Sequence, residues 1–575
     1  MISVVVTTFN RREVLARCLQ ALEDQDCPPT QFEVIVVVDG STDGTLEYLR
    51  SLRYGPALTV IDQPNRGLAA ARNAGLAAAR FEIVLFLDDD LLCKPRVVSD
   101  HLKAHTSGGK VLAFGPVLVG EAPLEAAAAR LTRTYYADSI YGPLAQGESP
   151  VWPIHARVPP NSSISREVLL EFGGFDEAFV NAHEDIELGI RLWRGGVNFI
   201  YLPDAKVEHL YTKSSNDLAV SEARRTGKFE ILLCRKHPVY RSESALAASQ
   251  TTRMFASRVG DILLKFPIAG QLARSAFATA RRLPLESVSG RKEEWLLARE
   301  GNLNMLQSAV CEAGSWRQFR AEFWMRLPVL MYHQVGAFKR NTYPGLTVDP
   351  GRFALQMEWL ANNGYQPIDT SDWIAWCESA KPLPENPVLI TFDDAYANLV
   401  EYAFPVLRKH RFKAVVFVPT AYIDQSNIWD QANGSAPIRL MSADSIKRWA
   451  ADGIEFGAHS RTHPELDRIS AAALQEEVEG SRAELERIVE VPVAAFAYPY
   501  GNHNRQVEEV VSRNFRLAFT TEDGLNNLGT NSMRLHRTMV QSDDTLVDFA
   551  SRIQFGYSMP EQTKARIRRL VGVRS

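Results

Sequence analysis

The stretch Ile83-Val84-Leu85-Phe86-Leu87-Asp88-Asp89-Asp90 runs from an apolar strand directly into three carboxylates. Strands of this kind alternate with helical patterns throughout residues 1–110, beginning with Ser3–Thr8 and Glu33–Val38. Such an alternation is typical of a parallel α/β sheet with helices on both faces. We therefore predict an α/β domain that binds its ligand at the carboxyl ends of these strands.

Polar motifs at several predicted strand and helix ends suggest what this ligand is. Three adjacent carboxylates are costly unless a cation neutralises them, and a divalent ion shared with substrate phosphates is the usual solution. Asp39-Gly40-Ser41-Thr42-Asp43-Gly44 ends a second strand, and Arg66 and Arg72 bring guanidinium groups suited to phosphate. Glu184-Asp185 begins a later helical pattern, where an acid can accept a proton from an attacking hydroxyl. For the three carboxylates taken alone, a solvated acidic turn is the alternative.

The second half of the chain repeats the strand pattern from Pro328 onwards and carries a different set of polar residues. Thr391-Phe392-Asp393-Asp394 closes an apolar run, and His459 and His463 follow the next marked strand, Ile454–Ala458. Two histidines and a carboxylate suit a metal such as Zn and leave a position for water. Asp393 is then a candidate base. For the histidines alone, a pair of surface or capping residues is the alternative.

Composition sets limits on the class of protein. The chain of 575 residues is too long for one core, so we expect two to four domains. The net charge of −4 gives no basic field for nucleic acid, and we predict no nucleic-acid partner. Six scattered cysteines favour a reducing compartment. The first residues read as a strand and no long apolar run occurs, so we expect no signal peptide, no membrane span and a cytoplasmic location.

The motifs DGSTDGT, NRG with AAARN, FLDDD and HEDIEL, in this order over roughly residues 1–210, resemble the family 2 glycosyltransferases of the GT-A fold. The resemblance implies inverting transfer from a UDP-sugar, with Asp185 as the catalytic base. It implies a Mg or Mn site at Asp88 and Asp90, with Asp89 as the alternative to either of them. His209 is implied as a further ligand, and a buried core histidine is the alternative for His209. The residues expected to bind the nucleotide sugar are Thr8, Asp39, Arg66, Arg72, Asp88 and Asp89.

The motifs MYH, TFDDAY, FGAHSRTHPEL and FAYPYG, in this order over roughly residues 327–545, resemble the NodB-type polysaccharide deacetylases, carbohydrate esterase family 4. The resemblance implies a distorted (β/α) barrel. It implies that Asp394, His459 and His463 bind Zn or a similar divalent metal, with Asp393 as general base and the Tyr500 backbone at the oxyanion.

The deacetylase motifs leave three positions open. Ala395 stands where the family usually has glycine. The late catalytic position is either His536, as general acid, or Arg537. His333 either lines the pocket or has a structural role at the first strand of the barrel.

These observations predict four segments, with boundaries at 1–215 (GT-A domain), 216–326 (helical connector), 327–548 (deacetylase domain) and 549–575 (basic tail). The joint hypothesis is transfer of an N-acetylhexosamine from a UDP-sugar to a glycan, lipid-linked or small-molecule acceptor, with N-deacetylation of an acetamido sugar by the second domain. One alternative is a glycosyltransferase with a non-catalytic glycan-binding C-terminal domain, and another is a scaffold protein. The motifs do not separate acetyl from formyl as the acyl group.

Residues 251–290 carry six Lys or Arg and two acids, interleaved with Phe, Leu and Ile. Together with the basic tail, this pattern offers a peripheral contact with anionic lipid at the inner face of a membrane. The alternative is an ordinary solvated helix face.

Overall fold

The computed structural model describes residues 1–106, 108–119, 127–152, 155–180, 182–210, 214–252, 258–282, 290–337, 345–429 and 437–558. The chain forms two compact units, Met1–Lys236 with Ser257–Trp316, and His237–Ala256 with Arg317–Ser575. Among the described residues, no helix combines the length and the apolar character needed to cross a bilayer.

A seven-stranded sheet, with a three-stranded sheet in addition, organises the first unit. The strands are β1 (Ile2–Thr8), β2 (Phe32–Asp39), β3 (Ala57–Gln63), β4 (Ile83–Asp88), β5 (Leu91–Cys93), β6 (Val111–Phe114), β7 (Val117–Val119), β8 (Ser162–Ser165), β9 (Asn198–Tyr201) and β10 (Val207–His209). The larger sheet has the order β3-β2-β1-β4-β8-β6-β9, in which only β8 runs antiparallel to its neighbours. The smaller sheet has the order β5-β10-β7.

The register of the central strands explains where the polar residues gather. β1 pairs in parallel with β2 and with β4, so that Thr7 lies beside Asp88 and Thr8 beside Val38. All three strands are buried along almost their whole length, which is why their sequences are continuous apolar runs. The carboxyl ends of β1, β2 and β4 therefore meet at one edge of the sheet.

Helices cover this sheet and continue into the segment predicted as a connector. Up to Lys236 they are α1 (Arg12–Glu23), α2 (Thr45–Ser51), α3 (Leu68–Ala78), α4 (Val97–Ala104), α5 (Ala127–Thr134), α6 (Gly142–Ala145), α7 (Arg166–Glu171), α8 (Glu184–Arg194) and α9 (Ala223–Lys236). They are followed by α10 (Ala245–Thr251), α11 (Arg258–Lys265), α12 (Pro267–Arg282), α13 (Gly290–Glu312) and α14 (Trp316–Phe323). The connector is helical, as predicted, and its residues divide between the two units.

The second unit is built on a curled, mainly parallel sheet. Its strands are β11 (Leu327–Tyr332), β12 (Gln334–Val335), β13 (Thr347–Val348), β14 (Gln366–Pro367), β15 (Pro387–Phe392), β16 (Val415–Val418), β17 (Glu455–Ala458), β18 (Ala495–Ala497), β19 (Leu517–Phe519), β20 (Leu525–Asn526) and β21 (Thr538–Met539). The main sheet has the order β19-β18-β17-β16-β15-β11-β20.

The segment around β21 closes this sheet into a distorted barrel. β21 pairs in parallel with β11, at one edge of the run from β11 to β19. Just before β21, Leu535 bridges to Phe519 at the end of β19 and exchanges backbone hydrogen bonds with Ala518 and Thr520. The fold class predicted from the sequence, an α/β chain with a GT-A-like domain and a distorted barrel, is confirmed.

Helices surround the barrel and fill the space between its strands and solvent. They are α15 (Pro350–Asn362), α16 (Thr370–Ser379), α17 (Asn398–Tyr402), α18 (Phe404–His410), α19 (Ala443–Ala451), α20 (Ala471–Gln475), α21 (Ser481–Val489), α22 (Arg505–Asn514) and α23 (Leu546–Phe555). The predicted tail begins within α23, and its residues 559–575 lie outside the described residues.

Two candidate active sites

In the first unit, a buried arginine joins the end of β4 to the start of α8. Arg72 of α3 donates to Asp88 Oδ1 at 2.9 Å and to Glu184 Oε1 at 2.8 Å, and only 3% of its side chain is exposed. Burial disfavours the guanidinium charge, but Asp88 and Glu184 hold its pKa above the ordinary value. The structure thus brings the acids of β4 and α8 together through Arg72. The predicted contact of Arg72 with a nucleotide sugar stays a prediction.

Asp89 and Asp90 share Arg11 as a partner, and each has one further partner of its own. Thr8 Oγ1 donates to Asp89 at 2.7 Å, and Arg11 Nη1 donates to Asp89 at 3.0 Å and to Asp90 at 2.8 Å. His209 Nε2 lies 3.2 Å from Asp90 Oδ2 because β10 pairs with β5 just beyond the acids. Burial raises the pKa of Asp89 to about 6. Burial also acts on Asp90, but His209 and Arg11 hold its pKa below the ordinary value.

Asp39, at the end of β2, organises the loop that leads into α3. Its buried carboxylate accepts hydrogen bonds from the backbone amides of Arg66 at 2.9 Å and Gly67 at 2.8 Å, and from Gln63 Nε2 at 2.7 Å. The Arg66 side chain is largely exposed and pairs with Glu177 at 2.8 Å. Asp39 therefore lies at the carboxyl end of β2, where the sequence predicted it. The Arg66 guanidinium pairs with the carboxylate of Glu177 instead.

These strand ends border an open cleft. Thr8, Asp39, Asp88 and Asp89, all predicted from the sequence, lie in its wall. The wall also contains residues that sequence reasoning missed, namely Phe9, Arg11, Asn65 and Arg225. Arg11 lies three residues after the end of β1 and directly before α1, a signal that could have been used. Arg225 comes from α9, more than a hundred residues from the other wall residues, and no sequence motif marks it.

A second, much smaller pocket includes Asp185, the predicted base. Most of its wall is apolar or aromatic and includes Tyr136 and Tyr141, while His155 and Arg157 add polar groups. Asp185 lies in the first turn of α8, a helix with acids in its first turn and arginines in its last, as its dipole favours. This charge pattern explains why a helix begins there.

The start of α8 is held by the helix that follows the GT-A motifs. His183 precedes α8 in a left-handed conformation (φ 66°), and its Nε2 lies 2.6 Å from Glu230 of α9. Burial disfavours charged His183, but Glu230 holds its pKa above the ordinary value. Beside it, burial raises the pKa of Glu184 to about 7. The buried pair of His183 with Glu230 of α9 thus positions the acids of α8.

In the second unit, three predicted metal ligands converge. Asp394 Oδ1 lies 3.5 Å from His463 Nε2 and 3.7 Å from His459 Nε2, and all three residues are buried. One ligand atom from each residue lies within 4.8 Å of the others. Among the described residues this is the one cluster of three or more His, Cys, Asp or Glu with such a geometry. Their spacing suits a single ion bound between them.

The protonation of the two histidines also fits a metal site. His459 Nδ1 lies 2.7 Å from the backbone oxygen of Ala497. Because that oxygen can only accept, Nδ1 carries the proton and Nε2 keeps its lone pair toward Asp394. Burial lowers the pKa of both His459 and His463, which keeps the imidazoles neutral as metal binding requires.

Asp393 forms a bidentate ion pair with Arg537. Arg537 Nη1 and Nη2 donate to the two carboxylate oxygens at 2.6 and 2.9 Å, and the arginine is fully buried. Burial would raise the pKa of Asp393, but Arg537 and His459 hold it at about 2. His536 instead has its Nδ1 3.7 Å from Glu522 and is partly exposed. Of the two residues considered for the late catalytic position, His536 and Arg537, it is Arg537 that contacts Asp393.

His333, the residue after β11, shares this environment. It is partly buried, and this burial lowers the pKa of His333 to about 4 against the opposing charge of Asp393. Arg537 and His459 act on it in the same direction as burial. Nδ1 of His333 has no hydrogen-bond partner among the described residues. From the sequence, His333 could either line the pocket or have a structural role. In the structure it lies close to Asp393, the proposed base.

Aromatic rings border the predicted metal ligands. Trp429 stacks on His463, with ring centroids 4.8 Å apart and planes 23° apart, and also contacts Tyr422. Tyr500 meets His463 edge-on at 4.7 Å, and its ring is half exposed. Tyr500 and His463 have left-handed backbone conformations with φ of 59° and 58°, as strained functional loops often do. Sequence reasoning found Tyr500 but missed Trp429, since no motif surrounds that tryptophan.

Comparisons with known proteins agree with both halves of this description. Residues 3–173 match the family model of glycosyl transferase family 2. Residues 380–515 match the model of polysaccharide deacetylases. The protein therefore joins two classes of carbohydrate enzyme. More specifically, its N-terminal part contains a family 2 glycosyltransferase domain and its C-terminal part contains a polysaccharide deacetylase domain.

Individual relatives match one half each. "Putative polysaccharide deacetylase YxkH" of Bacillus subtilis (strain 168) is 27% identical over 41% of this chain and 78% of its own length. The uncharacterized glycosyltransferase YfnE of the same strain is 30% identical over 34% of this chain and 61% of its own. Poly-beta-1,6-N-acetyl-D-glucosamine N-deacetylase of Escherichia coli (strain K12) is 26% identical over 34% of each chain. The chain thus spans less than two thirds of the last two relatives.

Proposed function

We propose that this protein transfers an N-acetylhexosamine from a UDP-sugar to an acceptor and removes the acetyl group from an acetamido sugar at a second site. The observation that carries the proposal is that each unit brings its own set of acids and bases together. Arg72 links Asp88 to Glu184 in the first unit, and Asp394 meets His459 and His463 in the second. The two family matches support the same pair of reactions.

In the transferase, the open cleft holds the nucleotide sugar. Asp88 and Asp90, with His209 beside Asp90, offer the oxygen and nitrogen ligands of a Mg or Mn site. A divalent ion held there supplies positive charge for the departing diphosphate. Arg11 and Arg225 add cationic groups to the same cleft, and Phe9 gives it an exposed aromatic ring. Asp39 keeps the loop that begins α3 in place.

The acceptor enters on the side of Asp185. Asp185 takes the proton of the acceptor hydroxyl as that oxygen attacks the anomeric carbon, in a single inverting displacement. The Tyr136 and Tyr141 rings in the adjoining pocket suit a sugar ring or another largely apolar group. Because this pocket is small and mainly apolar, it selects the part of the acceptor nearest the attacked bond.

In the deacetylase, Asp394, His459 and His463 would hold the ion. A divalent metal such as Zn lowers the pKa of water and polarises the amide carbonyl. Asp393, kept ionised by Arg537, accepts the proton of the attacking water. His333 lies near Asp393 with a neutral imidazole, so the proton that Asp393 takes from the water is the one returned to the leaving amine. Trp429 and Tyr500 flank His463 and give the sugar ring surfaces on which to stack.

The transferase is tested by incubating the full chain with a panel of nucleotide sugars, Mg or Mn, and N-acetylated glycan and lipid-linked acceptors. Mass spectrometry of the products gives the released nucleotide and the mass added to the acceptor. We expect UDP and the mass of an N-acetylhexosamine. Transfer exclusively from a donor with another nucleotide would overturn the assignment of the donor.

The deacetylase is tested by acetate release from N-acetylated oligosaccharides. We expect activity to disappear after chelation and to return with Zn, and His459→Gln to lose both bound metal and activity. His410→Gln, a histidine substitution on α18, is the matched control and should keep both. Release of formate from N-formyl substrates in place of acetate would change the acyl group in the proposal. A metal-containing domain that binds glycans but releases no acyl group would instead favour the glycan-binding alternative.

A further inference from the structure

Helices α11 and α12 present large apolar side chains to solvent. Ile262 and Phe266 are each 51% exposed, Ile268 is 73% exposed and Leu272 is 67% exposed. We call these four residues the apolar face. Most apolar side chains of this size elsewhere in the unit are buried in its core. Four such residues within eleven positions are therefore a local feature of these two helices.

The apolar face is not a consequence of loosely attached helices, since the opposite side of α11 and α12 is packed. Leu264 is almost fully buried. Gln307 of α13 donates to the backbone oxygen of Leu263, and Arg274 of α12 donates to Asn304 of α13 at 3.3 Å. Gly270 is so close to Gln307 that a Cβ there would lie 1.6 Å from its amide nitrogen. One side of the helix pair is fixed to α13, and the other side keeps its apolar residues exposed.

The four exposed residues form two pairs, one near the end of α11 and one near the start of α12. The Phe266 amide bonds to the Ile262 oxygen at 3.0 Å, and the Gly270 amide bonds to the Phe266 oxygen at 3.2 Å, so helical turns run through the junction. Ile268 and Leu272 are four residues apart and share a side of α12. The helix pair therefore carries its exposed apolar groups from one end of α11 to the middle of α12.

The sequence around these two helices is rich in cations. Residues 251–290 contain six Lys or Arg and two acids. Lys265 is exposed between the apolar residues, with its Nζ 5.4 Å from the Phe266 ring centre. Further cations of the sequence lie at both ends, Arg258 at the start of α11, and Arg281 and Arg282 at the end of α12. The pattern combines an apolar strip with cationic ends.

We propose that the apolar face docks on the surface of an anionic lipid bilayer. Helices that lie in the plane of a membrane interface bury an apolar side in the acyl boundary and keep cations at the level of the headgroups. Each Lys or Arg near an anionic surface adds to the attraction. Charge complementarity selects an anionic membrane over a neutral one. This inference does not rest on the proposed reactions, since it concerns helices outside both candidate sites.

The test is flotation of the full chain with phosphatidylcholine vesicles, with and without phosphatidylglycerol. We expect the protein to float with the anionic vesicles, and salt to weaken the binding without abolishing it, because the apolar contact remains. The double variant Ile268→Glu/Leu272→Glu should bind at least about tenfold more weakly. Both side chains are largely exposed, so the substitutions should leave the fold and the enzymatic activities on water-dispersed substrates unchanged.

Two matched controls test whether vesicle binding depends on the apolar face or on exposed apolar residues anywhere on the protein. Leu170→Glu, at 48% exposure in the same unit, and Val547→Glu, at 69% exposure in the other, should bind vesicles like the unaltered protein. Equal loss in the controls, or absence of binding to anionic vesicles, would overturn the proposal. A dimer in solution that the double variant dissociates, with no vesicle binding by either form, would assign the apolar face to a second copy of the chain instead.

Discussion

The pairing of Asp393 with Arg537 determines what the residues of the deacetylase site can do. A carboxylate buried without a cation would take up a proton and lose its value as a base. Arg537 prevents this and holds the pKa of Asp393 at about 2. The same contact fixes both carboxylate oxygens in place. Arg537 therefore acts on the reaction through the residue it positions.

Replacing Arg537 tests this role. We expect Arg537→Gln to lower the rate of acetate release about 100-fold, because Asp393 loses its orientation. The same change should lower the free energy of unfolding by about 3 kcal/mol, since it breaks a buried ion pair. Acetate assays and urea denaturation measure the two effects. His536→Gln, at the neighbouring position, should change neither by much, and a larger loss there would return His536 to the catalytic role predicted from its sequence position.

We expect the stability of the first unit to depend on pH because of His101 in α4. Its Nε2 lies 3.0 Å from Asn161 and its Nδ1 lies 2.7 Å from Ser163, and burial lowers the pKa of His101 to about 4. Between pH 6.5 and 4 the unfolded chain binds a proton that the folded chain excludes. Stability is therefore lost as pH falls through this window, by up to about 3 kcal/mol.

Denaturation of the unaltered protein and of His101→Gln across this pH window checks the prediction. The variant is expected to be less stable at neutral pH and to lose less stability on acidification. His410→Gln, which lies outside this network, should keep the slope of the unaltered protein. Parallel pH curves for His101→Gln and the unaltered protein would contradict the account.

The individual site residues show how far sequence reasoning reaches. Four site residues lie at or just after the ends of apolar strands, within recognisable motifs, so their position at strand ends could be predicted. They are Asp88, Asp394, His459 and His463. The partner of a charged side chain could not, because it depends on three-dimensional distances. Arg72 was expected to contact phosphate, and the structure shows it bonded to two carboxylates. Other such partners come from distant, motif-free positions, as Arg225 and Trp429 do.

At the scale of elements, α9 holds the start of α8 in place. The sequence places α9 in a connector beyond residue 215, yet Glu230 of α9 is bonded to His183. Lys236 at the end of α9 also forms ion pairs with Asp176 and Glu187. The acids at the start of α8 are thus positioned from outside the motif region. Hydrophobic patterns predict that a helix exists, but they do not predict which helix it will support.

Glu230→Gln tests this dependence. We expect transferase activity to fall about tenfold, because the start of α8 loses a charged anchor and Asp185 shifts. The free energy of unfolding should fall by about 2 kcal/mol, as for loss of a buried hydrogen bond to a charged group. Lys94→Met, which removes an exposed ion pair with Glu208, is the control and should cost less than about 1 kcal/mol. Unchanged transfer by a folded Glu230→Gln protein would show that α9 does not position α8.

At the scale of the whole molecule, two candidate sites occur in two compact units. The strand rhythm of each half was sufficient to predict its fold class, because parallel strands buried on both faces leave a clear apolar pattern. The division of the connector between the units was not visible in the sequence, since helix-forming residues look alike whichever core they join. Each unit has its own acids, its own candidate metal ligands and its own proposed substrate. The central claim is therefore that the two activities are chemically independent.

The most direct test measures nucleotide release and acetate release side by side for the unaltered protein, Asp185→Asn and Asp393→Asn. Asp185→Asn should lower transfer about 1000-fold and leave deacetylation intact, and Asp393→Asn should do the reverse. Circular dichroism confirms that each variant is folded, which matters most for Asp393→Asn because Arg537 keeps its buried charge. Loss of both activities in either folded variant would contradict the claim of two independent active sites.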